Sequence, residues 1–336
     1  MEALINIVLL AFLVVIAIAI VRMRDLLAVS MLLGIYGLLS ASFFVTMDAV
    51  DVAFTEASVG AGISTLLMLI AITMTGRSEH PERHKPVLAL FVVLITGSLL
   101  IYGTLEMPYF GSADAPIHLH VAPHYINNSM QEIGVPNIVT SVLASYRAFD
   151  TFGEVVVIFT AGIGVLALLS VVRRPEDIIK IDSTNNLMRA EYLILRIVVK
   201  MLIPFILLYA LYVQFHGDYG PGGGFQAGVI FASAIILYAM LFGISTARRV
   251  INQSVIQFFA AIGVLLYGSV GVVSLLNGKS FLDYSALSAD PVAGQHLGIL
   301  LIELGVGFTV ASVMVIIFFN FEGRRDNSLT KESNKT

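Results

Sequence analysis

The hydrophobic positions of this chain come in long unbroken runs. Those near residues 3–21, 26–46, 52–75, 87–106, 151–172, 190–213, 226–246, 254–276 and 298–320 have few polar interruptions. Each is close to the ~20 residues that cross ~30 Å of hydrocarbon at 1.5 Å per residue. Backbone N–H and C=O groups find no water at that depth, so a spanning segment is a helix or part of a closed barrel. Barrel strands alternate apolar and polar positions, and these runs do not. The pattern predicts an all-α polytopic membrane protein with about nine transmembrane helices.

Residues 135–149 read differently. Ile138, Val139, Val142, Leu143, Tyr146 and Phe149 share one helical face, Asn137, Thr140, Ser141 and Ser145 lie elsewhere, and Pro136 suits a first turn. This predicts one amphipathic helix along the outer interface. Polar stretches at 76–86 and 173–189 divide the chain into a three-helix unit (1–80), a two-helix unit (81–185), a four-helix unit (186–322) and a polar tail (323–336).

Composition strengthens the membrane reading. Of 336 residues 57% are hydrophobic and 12% charged, against about a quarter charged in a soluble domain. The absence of cysteine excludes disulfides, a thiol nucleophile and Cys-ligated metal. Met1-Glu2 offers no basic region before the first apolar run, so the start does not read as a signal peptide. Basic residues set the orientation. With the N-terminus outside and the C-terminus inside, the inner connections and tail hold Arg22, Arg24, Arg77, Arg83, Lys85, Arg173, Arg174, Lys180, Arg189, Arg248, Arg249, Arg324, Arg325, Lys331 and Lys335. The outer loops hold only Arg147 and Lys279.

Five ionisable residues fall inside spans: Glu56, Glu154, Arg196, Lys200 and Glu303. Each costs at least ~2.5–3.5 kcal/mol on insertion scales, which makes it a candidate functional group. Glu56 shares a face with Gly60 and Ser64, beside a stripe of Ala53, Ala57 and Ala61. Small residues let helices approach closely, so Glu56 is expected to face protein or a wet cavity, as an ion relay or as interhelical glue. Glu303, five residues into the last predicted span and followed by Leu304-Gly305-Val306-Gly307, carries the same two readings. Thr151-Phe152-Gly153-Glu154 fits a capping box, so Glu154 reads as a helix cap as readily as an ion group. Lys200 lies four residues before Pro204, whose missing N–H frees the Lys200 carbonyl. A cation there suits an ion path or a buried pair with a carboxylate, and Arg196 is placed to snorkel.

Two weaker signals lie outside the spans. Gly220-Pro221-Gly222-Gly223-Gly224-Phe225 reads as a compact turn, without the Lys-Ser/Thr ending of a phosphate loop. His118, His120 and His124 have the residue type of metal ligands but no carboxylate or cysteine at a fixed spacing, so a solvated loop is expected.

At these residues a family resemblance appears. From 189 to 320 the chain resembles the B subunit of Mrp-type Na+/H+ antiporters. The match lies in Leu195-Arg196 and Lys200 before Pro204, in Gly217 through Gly224-Phe225-Gln226-Ala227-Gly228, and in Glu303-Leu304-Gly305-Val306. The run Asp51-Val52-Ala53-Phe54-Thr55-Glu56-Ala57-Ser58-Val59-Gly60-Ala61-Gly62 resembles the small domain at the C-terminal end of the A subunit, which is the D subunit of membrane-bound hydrogenases. Val135-Pro136-Asn137 with Arg147-Ala148-Phe149-Asp150-Thr151-Phe152-Gly153-Glu154 resembles the adjoining E subunit.

The A-subunit family carries a large antiporter-like module ahead of these domains, and this chain starts at the small domain. The resemblance therefore implies a fused accessory subunit in a bacterial or archaeal cell membrane. It would work with other antiporter subunits, including a large antiporter-like one, in exchanging cytoplasmic Na+ for external H+. It places Glu56 and Glu154 on the family's acidic motif positions, with Lys200 and Glu303 contributing and Asp51, Asp150 and Arg196 as further ion-path candidates. Pro221, Gly222, Gly223, Gly224 and Phe225 would form a structural loop. No resident cofactor, metal or nucleic acid is expected; the small ligands are transported Na+ and H+, and the surroundings are lipid. A membrane-arm component of a hydrogenase or related redox complex, and an ion-inactive scaffold, remain as alternatives.

Overall fold

The structure is a computed structural model, and it describes residues 2–79, 86–109, 111–169 and 193–333. The expected inner connections with Arg83, Lys85, Arg173, Arg174, Lys180 and Arg189 lie outside the described residues, as do the division at 185/186 and Lys335. Among the described residues there is no strand. Nine helices there are long and apolar enough to cross a membrane: Ala3–Arg22, Leu26–Thr46, Val50–Thr75, Val87–Thr104, Ala148–Leu169, Leu193–His216, Gly224–Phe242, Gln253–Leu276 and Pro291–Gly323. They are the first to ninth spans below.

The ninth span starts seven residues earlier than its hydropathy suggests. Asp290 accepts from the Val292 and Ala293 amides (3.3 and 3.4 Å), and Pro291 needs no donor in the first turn. Gly294, Gln295 and His296 are therefore helical, and Glu303 lies about 18 Å from the helix start at 1.5 Å per residue. The fifth span begins at Ala148, before the expected residue 151. The third is interrupted directly after Glu56 by a π-helical segment, Ala57–Ile63, a widened turn often found at functional sites.

The core sits where the seventh, eighth and ninth spans meet. Lipid offers no hydrophobic drive between helices, so close approach of small residues does the work. A Cβ added at Gly228 would stand 2.9 Å from the Gly307 carbonyl oxygen, and one at Gly305 would stand 2.7 Å from the Gly263 carbonyl. Tyr267, Tyr284, Phe318 and Phe319 fill the remaining space and are fully buried. The fifth span joins this core through Val155 and through Gly162, which packs on Val313. The fourth span lies apart, with no buried residue over its apolar length.

Residues 138–146 are helical and two-faced as expected, but with the faces put to a particular use. Thr140 and Ser141 are buried against protein, while Ile138, Val139 and Leu143 are exposed. The polar side is the inward one, and it meets the loop after the sixth span.

Candidate ion-handling site

The three units separated in the sequence converge on the glycine loop, residues 217–224. From the 138–146 segment, Thr140 Oγ1 donates to the Gly217 carbonyl (2.6 Å). Asn137 Nδ2 donates to the carbonyls of Gly217 (3.2 Å) and Gly220 (3.1 Å), and its N–H to that of Asp218 (3.0 Å). From the third span, Thr55 Oγ1 accepts from Gln226 Nε2 (3.0 Å), near the start of the seventh span. Asp51, in the first turn of the third span, faces the Gly222 amide and the Asn137 side chain.

Glu303 of the ninth span lies beneath this loop. Cβ atoms added at Gly223 and Gly217 would stand 3.0 and 3.3 Å from its Oε1. One added at Gly224 would collide with the Glu303 carbonyl oxygen, so only glycine lets the two backbones meet there. Gly223 also has φ +116°, a conformation L side chains rarely adopt, and it starts the seventh span. Glu303 is densely surrounded yet still partly accessible to water. The charges of Asp218 and Asp51 both reach it, and Gln226 Oε1 lies on the same side of Gly223. Buried Gln214 closes the cluster beside Gly307. Pro221 is exposed at the loop tip, while Phe225 turns into the core. No group of three or more His, Cys, Asp or Glu among the described residues converges closely enough to hold a metal ion.

The other sequence candidates lie elsewhere. Glu56 is half-buried between the second and third spans, its carboxylate folded against Gly60, and a Cβ at Gly37 would stand 3.3 Å from it. A cavity of about 400 Å³ opens beside the following π segment, but its walls are almost wholly apolar, with Ser58 and Ser233 the exceptions. Glu154 is exposed on the fifth span one turn from Asp150, which is itself paired with Arg147 at 2.7 Å. The capping reading of Glu154 is overturned. The helix already begins at Ala148, and Thr151 Oγ1 donates back to the Leu143 carbonyl (2.8 Å). Lys200 pairs with no carboxylate among the described residues. Its Nζ lies 5.2 Å from the Phe242 ring, and Arg196 lies 4.9 Å from the same ring while donating to the Leu241 carbonyl. Lys200 precedes Gly217 by 17 residues, roughly 25 Å along the helix, so it belongs to the opposite end of the bundle. The histidines expected in a loop lie largely in helix: His124 is in the first turns of Val121–Glu132 and faces Glu132 at 3.5 Å. Glu132 also accepts from Tyr146. Burial first, and this contact after it, push the Tyr146 hydroxyl above its ordinary pKa.

Asp218 and His296 were missed in the sequence, and Asn137 and Gln226 stood there only within patterns and matching motifs, with no role at a site. Each is a polar residue at a helix end or in a loop, where polar residues are the rule; the signal was the specific glycine loop they surround.

Comparison with known proteins decides the family. Residues 194–316 match the model described as a domain related to the MnhB subunit of Na+/H+ antiporters. The putative antiporter subunit mnhB2 of Staphylococcus aureus (strain Newman) is 34% identical over 143 residues, which cover 41% of this chain and 99% of that protein. The chain belongs to the MnhB family of antiporter subunits. It is a fusion, because residues 11–77 match the family model of the MBH D subunit and residues 95–186 that of the MBH E subunit. The nine apolar helices and this family make it a multi-pass cell-membrane protein. The A/B subunit of a probable K+/H+ antiporter from Rhizobium meliloti (strain 1021) is 26% identical over 314 residues, covering 87% of this chain. The chain spans about a third (31%) of that relative's length. The fold is also that of part of the Mrp complex from Dietzia sp. DQ12-45-1b (TM-score 0.71, 23% identity, 94% of this chain, 34% of that one). A chain of the archaeal membrane-bound sulfane sulfur reductase is similar as well (TM-score 0.52, 27% identity, 71% of this chain, 98% of that one).

Proposed function

We propose that the chain is an accessory membrane subunit of a multisubunit Mrp-type antiporter that exchanges cytoplasmic Na+ for external H+. In this reading the glycine-loop end faces outside, and Glu303 is the ion-handling group. Glu56 and Glu154 serve the same traffic toward partner subunits, Glu154 from the exposed face of the fifth span. A large antiporter-like partner supplies the coupled proton entry. Moving one charge across the membrane is worth about 2.3 kcal/mol per 100 mV, so export against a gradient has to draw on that partner.

One observation carries the reading. A carboxylate deep in the ninth span, Glu303, is held under a loop that carries Asp218, meets Asp51 at Gly222 and is stapled by polar groups from all three units. Pure scaffolding gains nothing from this, since a charge at membrane depth is costly unless used. In the assembled complex in vesicles, Glu303→Gln is expected to lower Na+/H+ exchange by about tenfold or more with the complex still assembled, on the scale of a lost proton-transfer group. Unchanged exchange would remove Glu303 from the path and favour the scaffold.

A membrane-arm component of a redox-driven complex is the second reading, favoured by the likeness to nearly the whole of a sulfane sulfur reductase chain. The proteins that co-purify with the chain separate the two: soluble iron–sulfur proteins point to the redox complex, and only hydrophobic antiporter subunits to Mrp.

A further inference from the structure

His296 precedes Glu303 by seven residues on the ninth span. Two helical turns return to the same face, so the two side chains lie in one column about 10 Å apart along the axis. The glycine loop approaches both of them. His296 Nδ1 is 3.8 Å from Asp218 Oδ2, and Gly217, the residue before Asp218, lies so close to Glu303 that an added Cβ would stand 3.3 Å from its Oε1. Side-chain exposure is 42% for His296 and 31% for Asp218, and Glu303 is half-buried. The 3.8 Å gap exceeds a hydrogen bond, so one water or a small side-chain shift completes the step.

Other titratable groups near this column are already engaged. Asp290 caps the helix start, and Asp283 holds the Ser285 amide and hydroxyl. Glu132 is taken by Tyr146 and His124, and Arg147 by Asp150. His216 stacks on the Tyr212 ring, and Asp51 faces Gly222 and Asn137. The Tyr267 hydroxyl donates to the Ala148 carbonyl, and the Tyr284 hydroxyl is buried without a partner. His296, Asp218 and Glu303 are thus the imidazole and carboxyl groups here that none of these contacts engages.

We infer that His296 and Asp218 form the outer proton mouth of the site, passing protons between external water and Glu303. The imidazole takes up a proton from water, and its Nδ1–H gives one to the Asp218 carboxylate. Asp218 passes a proton to the Glu303 carboxylate, and each donor returns to its starting state. Imidazole is the side chain whose charge changes between about pH 5 and 8, which suits an external proton source. His296 is a positioning and hand-over group, and the inference rests on the antiporter reading above.

The test uses the assembled complex in vesicles, with exchange measured against pH on the loop side. His296→Gln keeps hydrogen-bonding capacity without a titrating group. It is expected to slow exchange several-fold and to flatten its dependence between about pH 6 and 8. Imidazole added on the loop side is expected to restore part of the rate to His296→Ala. A wild-type rate and profile in His296→Gln overturns the inference. So does a loss of assembled complex with a normal profile per complex, which marks a mere staple. Should His296→Gln fail to assemble, Asp218→Asn takes its place, and a wild-type profile there overturns the inference equally. Glu303→Gln in the same vesicles separates the two levels: an inactive Glu303→Gln beside a normal His296→Gln sinks the proton mouth alone. An active Glu303→Gln sinks the reading beneath it.

Discussion

At one end of the sixth and seventh spans, Glu303, Asp51 and Asp218 gather around a glycine loop; at the other, Arg196 and Lys200 lie over the single ring of Phe242. Glu303, Arg196 and Lys200 all looked like span-embedded charges in the sequence. A lysine or arginine has a long apolar stem and reaches the interface from well inside a helix, so its sequence depth overstates its burial. Lys200 is exposed and rests on an aromatic face, an arrangement that needs no ion path. A carboxylate on a short stem cannot escape in this way. It has to be met where it stands, and at Glu303 the meeting is built from glycine backbone, amides and further acids. A carboxylate inside a span is therefore the stronger functional clue.

The largest effect expected from testing this contrast is at Gly224. A side chain there meets the carbonyl of Glu303 and the Gly307 amide nitrogen, and neither backbone group can swing away. Overpacking of this kind costs about 1–3 kcal/mol or more. Gly224→Val is expected to part the seventh and ninth spans and to abolish recovery of the assembled complex, read by co-purification of its subunits. Gly97→Ala on the fourth span, where nothing lies within 4 Å, is the control and is expected to assemble normally. Normal assembly of Gly224→Val would show that the close approach under Glu303 is not required.

Lys200 and Arg196 come next. If they serve only as interface anchors, Lys200→Gln and Arg196→Gln lose a cation–π contact worth about 0.5–1 kcal/mol at an exposed site. Exchange per assembled complex is then expected to fall no more than about fivefold, the most that about 1 kcal/mol converts to. A tenfold loss in Lys200→Gln with normal assembly would erase the distinction between the two ends and return Lys200 to the ion path.

How far the sequence reached follows from the same physics. The nine spans were legible because lipid demands long apolar helices, and Glu303 was legible because a charge within such a run is conspicuous. The start of the ninth span was not, because Gly294, Gln295 and His296 lower the hydropathy without breaking the helix that Asp290 and Pro291 begin. Thr151 and Glu154 had the spacing of a cap, but the chain turns helical earlier, at Ala148, where the Tyr267 hydroxyl donates to the carbonyl (2.7 Å). Asp218 and His296 drew no attention because only the folded chain brings them together. The inward turn of Thr140 and Asn137 was likewise hidden, since a two-faced helix does not say which face meets protein.

The smallest expected effect lies at the basic end, between the first three spans. Asp25 caps the second span through the Leu27 amide (3.0 Å) and pairs with Arg77 at 2.7 Å. The neighbouring Arg77 first, and the capping amides after it, hold the Asp25 carboxyl below its ordinary pKa of 3.8. A lowered carboxyl contributes stability that is fully present above the unfolded value and fades as pH falls through the folded one. The contribution is thus constant across neutral pH and is lost only in acid, below about pH 4. Both side chains are well exposed, 64% for Arg77 and 37% for Asp25, so water and salt screen most of the attraction. Asp25→Asn keeps a good capping oxygen and removes the charge. It is expected to lower the thermal unfolding midpoint only slightly at pH 7, with the difference shrinking at pH 3 and in high salt. A drop as severe as that of Gly224→Val, or one that persists in acid, would mean that this end is held by a buried charge and that the two ends are alike after all.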